Sequence, residues 1–201
     1  MSTKEKIMDV ALHMFSERGY EAVSIRDICG EVGIKESTLY YHFKNKKDIL
    51  DSLVAKFKEH INGLLSHIDE IPDASSSGKL KKRDIESSNI MDTYMMDSYL
   101  FDPFCNLMIR LMMIEQFHNE EIRVLYEKTL FTDPYEIYLK VFRRLSAQGA
   151  FPEDQAEGIV RHYHAYMTML TFRYLLNGEL TEERKQAYAK EVHNLMNSAN
   201  I

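Results

Sequence analysis

Ile25-Arg-Asp-Ile-Cys-Gly-Glu-Val-Gly-Ile-Lys-Glu-Ser-Thr-Leu-Tyr-Tyr-His-Phe-Lys-Asn-Lys-Lys47 reads as two short helices joined by a tight turn at Gly33. Ser24, immediately before it, is a good N-cap, and Asp27 three positions on completes a capping-box-like pair. Ile25, Ile28 and Val32 then face inward, and Gly33 is free to take the positive φ that a tight interhelical turn needs. The next helix is expected from about Glu36 to Phe43, anchored by Leu39 and Phe43 four residues apart. Ser37, Thr38, Tyr41 and His42 fall on its other faces, and a further helix opens at Lys46. Two helices around a short turn, the second carrying hydroxyls, rings and a histidine outward, is the helix-turn-helix layout that enters a DNA major groove.

Outward from this stretch, apolar spacing predicts a helix from about Thr3 to Arg18, with Ile7, Val10, Ala11, Met14 and Phe15 on one stripe and Gly19 as a left-handed cap. A long helix from Lys46 to about Ile68 carries Ile49, Leu50, Leu53, Phe57, Ile61, Leu64 and Leu65. Asp73 to Gly78 is a loop by composition, and Lys79 to Arg83 a short basic run that reads as its solvated edge. Helices are then expected from Ile85 to Leu100, from Asp102-Pro103 to His118, and from Asn119 as cap to about Leu130. Asp133-Pro134-Tyr135-Glu136 reads as a fresh start signal for a helix closed by Gly149. Pro152 opens a long helix to about Asn177, and Thr181 opens the last, to about Asn197. The whole is an all-α chain of about nine helices.

Composition narrows the class. Hydrophobic residues are 45% of 201, enough for a real core. No apolar run approaches the ~18 residues of a membrane span. No apolar signal core follows the charged Lys4-Glu5-Lys6, and Cys29 and Cys105 lack metal or disulfide spacing, so a reduced, cytoplasmic setting is expected. The net charge of -6 is uneven: residues 1–58 sum to +1 and residues 59–201 to -7. A mildly basic head and an acidic body are implied, with binding set by the placement of a few groups more than by bulk charge. His162 and His164, two apart, point to different helix faces, so no metal is expected. No nucleophile set, phosphate loop or carboxylate pair stands out, so neither a cofactor nor enzyme activity is expected.

The segment from Ile7 to Leu50 resembles the TetR family of one-component transcriptional repressors. The residues that carry the likeness are Ala11, Phe15, Gly19-Tyr20, Ser24-Ile25-Arg26-Asp27-Ile28, Val32-Gly33-Ile34 and Ser37-Thr38-Leu39-Tyr40-Tyr41-His42-Phe43-Lys44-Asn45-Lys46. The family often has alanines where this chain has Cys29 and Val32, and Cys29 packs as a small apolar residue. The resemblance implies a head over residues 1–46 and a larger effector-binding, dimerising body over residues 47–201. It also implies double-stranded DNA as partner and Ser24, Glu36, Ser37, Thr38, Tyr40, Tyr41, His42 and Lys46 as DNA-facing residues. Lys35 stands where a side-chain cap is usual and reads either as a solvated turn lysine or as a phosphate or guanine contact.

A single head is too weak to be specific, so a homodimer is expected. Its seam is assigned to Ile159, Tyr163, Tyr166, Leu170 and Tyr174 on one late helix and Tyr188, Val192 and Leu195 on the next, as a four-helix bundle or, alternatively, as the body's own core. Methionine- and tyrosine-rich helices suggest a small apolar or aromatic effector, with Tyr94, Met95, Met108, Met112, Tyr138, Tyr163 and Tyr166 as its candidate contacts. Arg110 and Glu115 interrupt the apolar run from Leu107 to Ile114, and Arg110 reads as exposed. The rival readings are a DNA-binding regulator controlled by a protein partner or by no effector, and a helical enzyme or adaptor that does not bind DNA.

Overall fold

A computed structural model describes residues 1–69, 96–147 and 149–198, and these are helical with no strand among them. The helices are α1 (Thr3–Arg18), α2 (Ile25–Val32), α3 (Glu36–His42), α4 (Lys46–Asp69), α5 (Pro103–Glu115), α6 (Glu120–Glu127), α7 (Asp133–Ala147), α8 (Ala156–Leu170) and α9 (Glu182–Ser198). The expected loop at 73–78, the basic run at 79–83 and most of the helix expected from Ile85 lie outside the described residues. Contacts divide the chain into two units, one joining residues 1–66 to 107–126, the other taking in 67–106 and 127–201. Packing therefore divides elsewhere than at residue 46, where the change of role is expected.

In the first unit the local signals do what their chemistry requires. Ser2 and Glu5 cap α1 reciprocally, as Ser24 and Asp27 cap α2. The α1 stripe buries Ile7, Ala11, Leu12, Met14 and Phe15, with Val10 only half-buried. Gly33 takes the left-handed conformation (φ 77°, ψ 37°) and closes α2. Gly19 also has positive φ, but its ψ of 157° is extended, so it is not the left-handed cap expected of it. The α4 stripe is buried at Ile49, Leu50, Leu53, Phe57 and Leu64, while Ile61 and Leu65 are half-buried. Asn45 Oδ1 accepts from the Asp48 N–H at 2.9 Å, and Asp48 Oδ2 accepts from the Lys44 N–H at 2.8 Å, so α4 starts from a box of its own.

In the second unit α7, α8 and α9 close over Phe142, Val160, Tyr163, Met167, Tyr188 and Val192. The expected fresh start at Asp133 is not there: α6 runs through a π-turn, Lys128–Thr132, directly into α7, and Asp133 is itself helical. The π-turn is how the chain accommodates Pro134, which has no N–H to give Leu130. The Asp133 N–H reaches back to Lys128 O, and Pro134 has no N–H to offer Thr129 O or Leu130 O. Side chains meet these carbonyls: the Tyr99 hydroxyl donates to Thr129 O at 3.3 Å, and His164 Nε2 lies 3.3 Å from Leu130 O. A carbonyl only accepts, so this nitrogen carries the proton. A second π-turn, Thr171–Leu176, ends α8. Its last carbonyls are met by Arg184, whose Nε donates to Tyr174 O at 2.6 Å, and by Asn106, whose Nδ2 donates to Leu175 O at 2.8 Å.

Candidate nucleic-acid interface

The geometry of the head follows from two buried anchors. Leu39 and Phe43 are both sunk in the core, which turns the remaining faces of α3 outward. Glu36, Ser37 and Thr38 are exposed at its start, Tyr40 is 52% and Tyr41 85% exposed, and His42 is half-buried with its ring edge-on to Tyr41 at 5.0 Å. Two exposed tyrosines on a seven-residue helix are a poor arrangement for stability in water. They suit a surface that meets a partner. Lys35 is the N-cap residue of α3, makes no side-chain cap there and is exposed, which leaves its ammonium available.

Two expected DNA-facing groups have partners within the head. The Ser24 hydroxyl donates to Asp27 Oδ2 at 2.6 Å and accepts from the Asp27 N–H at 3.1 Å. These donors hold the Asp27 carboxyl below its ordinary range. Lys46, also expected to face phosphate, donates to Tyr20 O at 2.8 Å and sits 4.1 Å above the Tyr20 ring. Other cations also have protein partners: Lys6 donates to Val32 O at 3.0 Å, at the end of α2, and Lys47 pairs with Asp51 at 2.7 Å.

The candidate effector and seam residues are dispersed. Tyr94 and Met95 lie outside the described residues. Met108 and Met112 are buried in the first unit, whereas Tyr138, Tyr163 and Tyr166 belong to the second, so these five do not share one packing unit. Tyr138 and Tyr163 meet edge to face at 4.9 Å. Of the seam candidates, Tyr163, Leu170, Tyr188 and Val192 are buried in the chain's own core, while Ile159, Tyr166, Tyr174 and Leu195 are only partly buried. His162 and His164 part as expected, one bonding to Gly158 O on its own helix and the other to Leu130 O. Both cysteines are free thiols in buried positions, and burial pushes Cys105 well above its ordinary value.

Sequence reasoning missed Glu115. It reads as an interruption of an apolar run, yet it is only 5% exposed and bonds to the turn after α1. Nothing local signals a partner so distant in the chain. The Asn45–Asp48 box was missed as well, although its three-residue spacing is a local signal.

A short outward helix, set by a left-handed glycine turn against capped neighbours, has the layout of a helix-turn-helix head. Residues 7–53 match the model of bacterial regulatory proteins of the tetR family. The biofilm operon icaADBC HTH-type negative transcriptional regulator IcaR of Staphylococcus aureus (strain Newman) is 40% identical over 62 residues, 31% of this chain and 33% of that protein. The chain thus spans about a third of the length of the curated relatives it matches. Among solved structures, the ketosteroid transcriptional regulator KstR2 of Mycobacterium tuberculosis matches with a TM-score of 0.62 at 18% identity, over 98% of this chain and 94% of that one. A protein of Saccharomonospora viridis, solved with choline, matches with a TM-score of 0.60 at 21% identity, over 94% and 95%. At such identities the likeness shows the fold. The matched family is one of transcriptional regulators, not enzymes. No described helix is long and apolar enough to cross a membrane.

Proposed function

We propose that the protein is a one-component transcriptional regulator, a repressor that binds a palindromic operator as a homodimer and is released by a small apolar or aromatic effector. One observation carries it: the family match over residues 7–53 falls on the segment where Ser37, Thr38, Tyr40 and Tyr41 are exposed above buried Leu39 and Phe43. Thr38 and Ser37 read base edges from the front of α3. Tyr40, Tyr41, His42, Lys35 and the capped start of α2 at Ser24 meet backbone oxygens. Lys46 acts from its place on Tyr20. Repression is supported by the matched negative regulators. The division of labour falls near residue 46, with DNA read on one side and effector binding and pairing on the other.

Two heads about 34–36 Å apart reach successive major grooves on one face of a duplex. The partly buried Ile159, Tyr166, Tyr174 and Leu195, with exposed Met169, offer apolar surface for the pairing. An effector is supported by the fold shared with a protein solved with choline and by the ring contacts around Tyr163.

The test is a gel shift across a salt series on duplex DNA flanking the protein's own gene, with footprinting and sedimentation in parallel. A dimer, a palindromic footprint and a steep loss of affinity with salt are expected. A monomer that leaves that DNA untouched at low ionic strength ends this reading. Equilibrium dialysis against hydrophobic compounds, with DNA release as readout, tests the effector, and release by none of them counts against it.

A further inference from the structure

Tyr20, in the turn after α1, has both of its backbone groups engaged by side chains from distant helices. Its N–H donates to Glu115 Oε1 on α5 at 2.8 Å, and its C=O accepts from Lys46 Nζ on α4 at 2.8 Å. Its ring lies beneath that ammonium at 4.1 Å and edge-on to Phe15 at 5.3 Å. The approach is close: a Cβ on Gly19 would stand 3.3 Å from Glu115 Oε1 and 3.3 Å from Ile114 Cγ2. All of these residues lie in the first unit. A carboxylate as buried as Glu115 is costly unless hydrogen-bonded. A buried leucine would serve the core of α5 without that cost. The carboxylate is thus accounted for by what it holds.

We infer that Glu115 is a positioning residue of the DNA-reading head: it fixes Tyr20, and Tyr20 fixes Lys46, the first residue of α4. The inference rests on the reading that this head binds DNA. Glu115 itself touches no DNA. Its bond to the Tyr20 N–H sets the orientation of that residue, and with it the carbonyl and ring that together hold the Lys46 ammonium. Loss of the carboxylate lets Tyr20 turn, and the lysine moves with it.

The experiment is a double-mutant cycle on the affinity of the full-length protein for duplex DNA flanking its own gene. The measurement is made well below the melting temperature, with the active fraction set by stoichiometric titration. Glu115→Met is expected to weaken binding about tenfold, equivalent to about 1.4 kcal/mol. Lys46→Met should also weaken it, and the double variant should be no weaker than Lys46→Met alone. Glu115→Gln retains Oε1 as an acceptor and should restore most of the affinity. A merely structural glutamate would lower the melting temperature and show no coupling to Lys46. Should Glu115→Met fail to fold, Glu115→Asp takes its place, since it keeps the charge and withdraws the acceptor by one methylene. Wild-type affinity in the Glu115 variant, or fully additive losses, overturns the inference while leaving the regulator reading intact. Failure of the wild type to bind overturns both.

Discussion

Glu115 Oε1 lies 2.8 Å from the backbone nitrogen of Tyr20, a residue 95 positions earlier in the chain. Gly19 makes that approach possible. At φ 84° and ψ 157° its backbone is one that side chains avoid, and a Cβ there would crowd Glu115 and Ile114, at 3.3 Å from each. Gly33 is strained for other residues too, at φ 77°, but has nothing within 4 Å of its would-be Cβ. Gly33→Ala should therefore cost about 1 kcal/mol, from the left-handed backbone alone. Gly19→Ala should cost about 2 kcal/mol or more, adding the crowding of two packed side chains. Urea denaturation of the two variants checks the order, and equal costs would refute the role given to Gly19.

Ser24→Ala should destabilise the head by about 1 kcal/mol through loss of its N-cap. The same change alters the acid limb of stability. In the folded head Ser24 donates to the charged Asp27 carboxylate, so the folded group titrates below its ordinary 3.8. As pH falls the unfolded chain takes up its proton first, and the stability that Asp27 contributes above about pH 4 is lost as the pH falls through its folded value. Denaturation curves between neutral and acid pH should show a shallower acid decline in Ser24→Ala than in the wild type.

Ser37→Ala and Thr38→Ala should each leave the melting temperature nearly unchanged, since both side chains are exposed. Each should cost about 1–3 kcal/mol of operator binding where it reads a base edge, with discrimination relaxed at one position. Lys35→Met should instead weaken binding to all sequences alike and reduce the salt slope by about 1, as a phosphate contact does. Competition gel shifts with single-base operator variants separate the two patterns.

His164 should titrate below its ordinary 6.5, because burial opposes its charge more than the Leu130 carbonyl favours it. The unfolded chain then binds the proton more readily, so the stability His164 contributes above about pH 6.5 is lost as the pH falls through its folded value. NMR titration of the ring, and a flatter pH–stability curve for His164→Gln, check this. A ring titrating above 6.5 would contradict it.

What was legible in the chain is what neighbours in sequence dictate. The caps at Ser24 and Asn119, the turn at Gly33 and the stripes of α1, α2 and α4 are settled within a few residues of themselves, and the structure has each of them. Asp133-Pro134 carries every local mark of a helix start, but Tyr99 and His164 satisfy the carbonyls a proline strands, so the helix runs on. Lys46 at the head of a helix reads as a phosphate ligand, and nothing local signals that Tyr20 lies beneath it. Tyr188 and Val192 form an apolar stripe on α9, and a stripe alone does not say whether its partner is the same chain; here both are buried without a second copy. Each of these cases turns on a contact distant in sequence, where periodicity is silent.

The first unit has a practical corollary for anyone wishing to borrow it. Its segments 1–66 and 107–126 are interleaved along the chain, and the bond from Glu115 to Tyr20 stitches them together. The reader is therefore not a portable cassette: grafted onto a foreign scaffold after α4, it leaves behind the strip that braces its first turn.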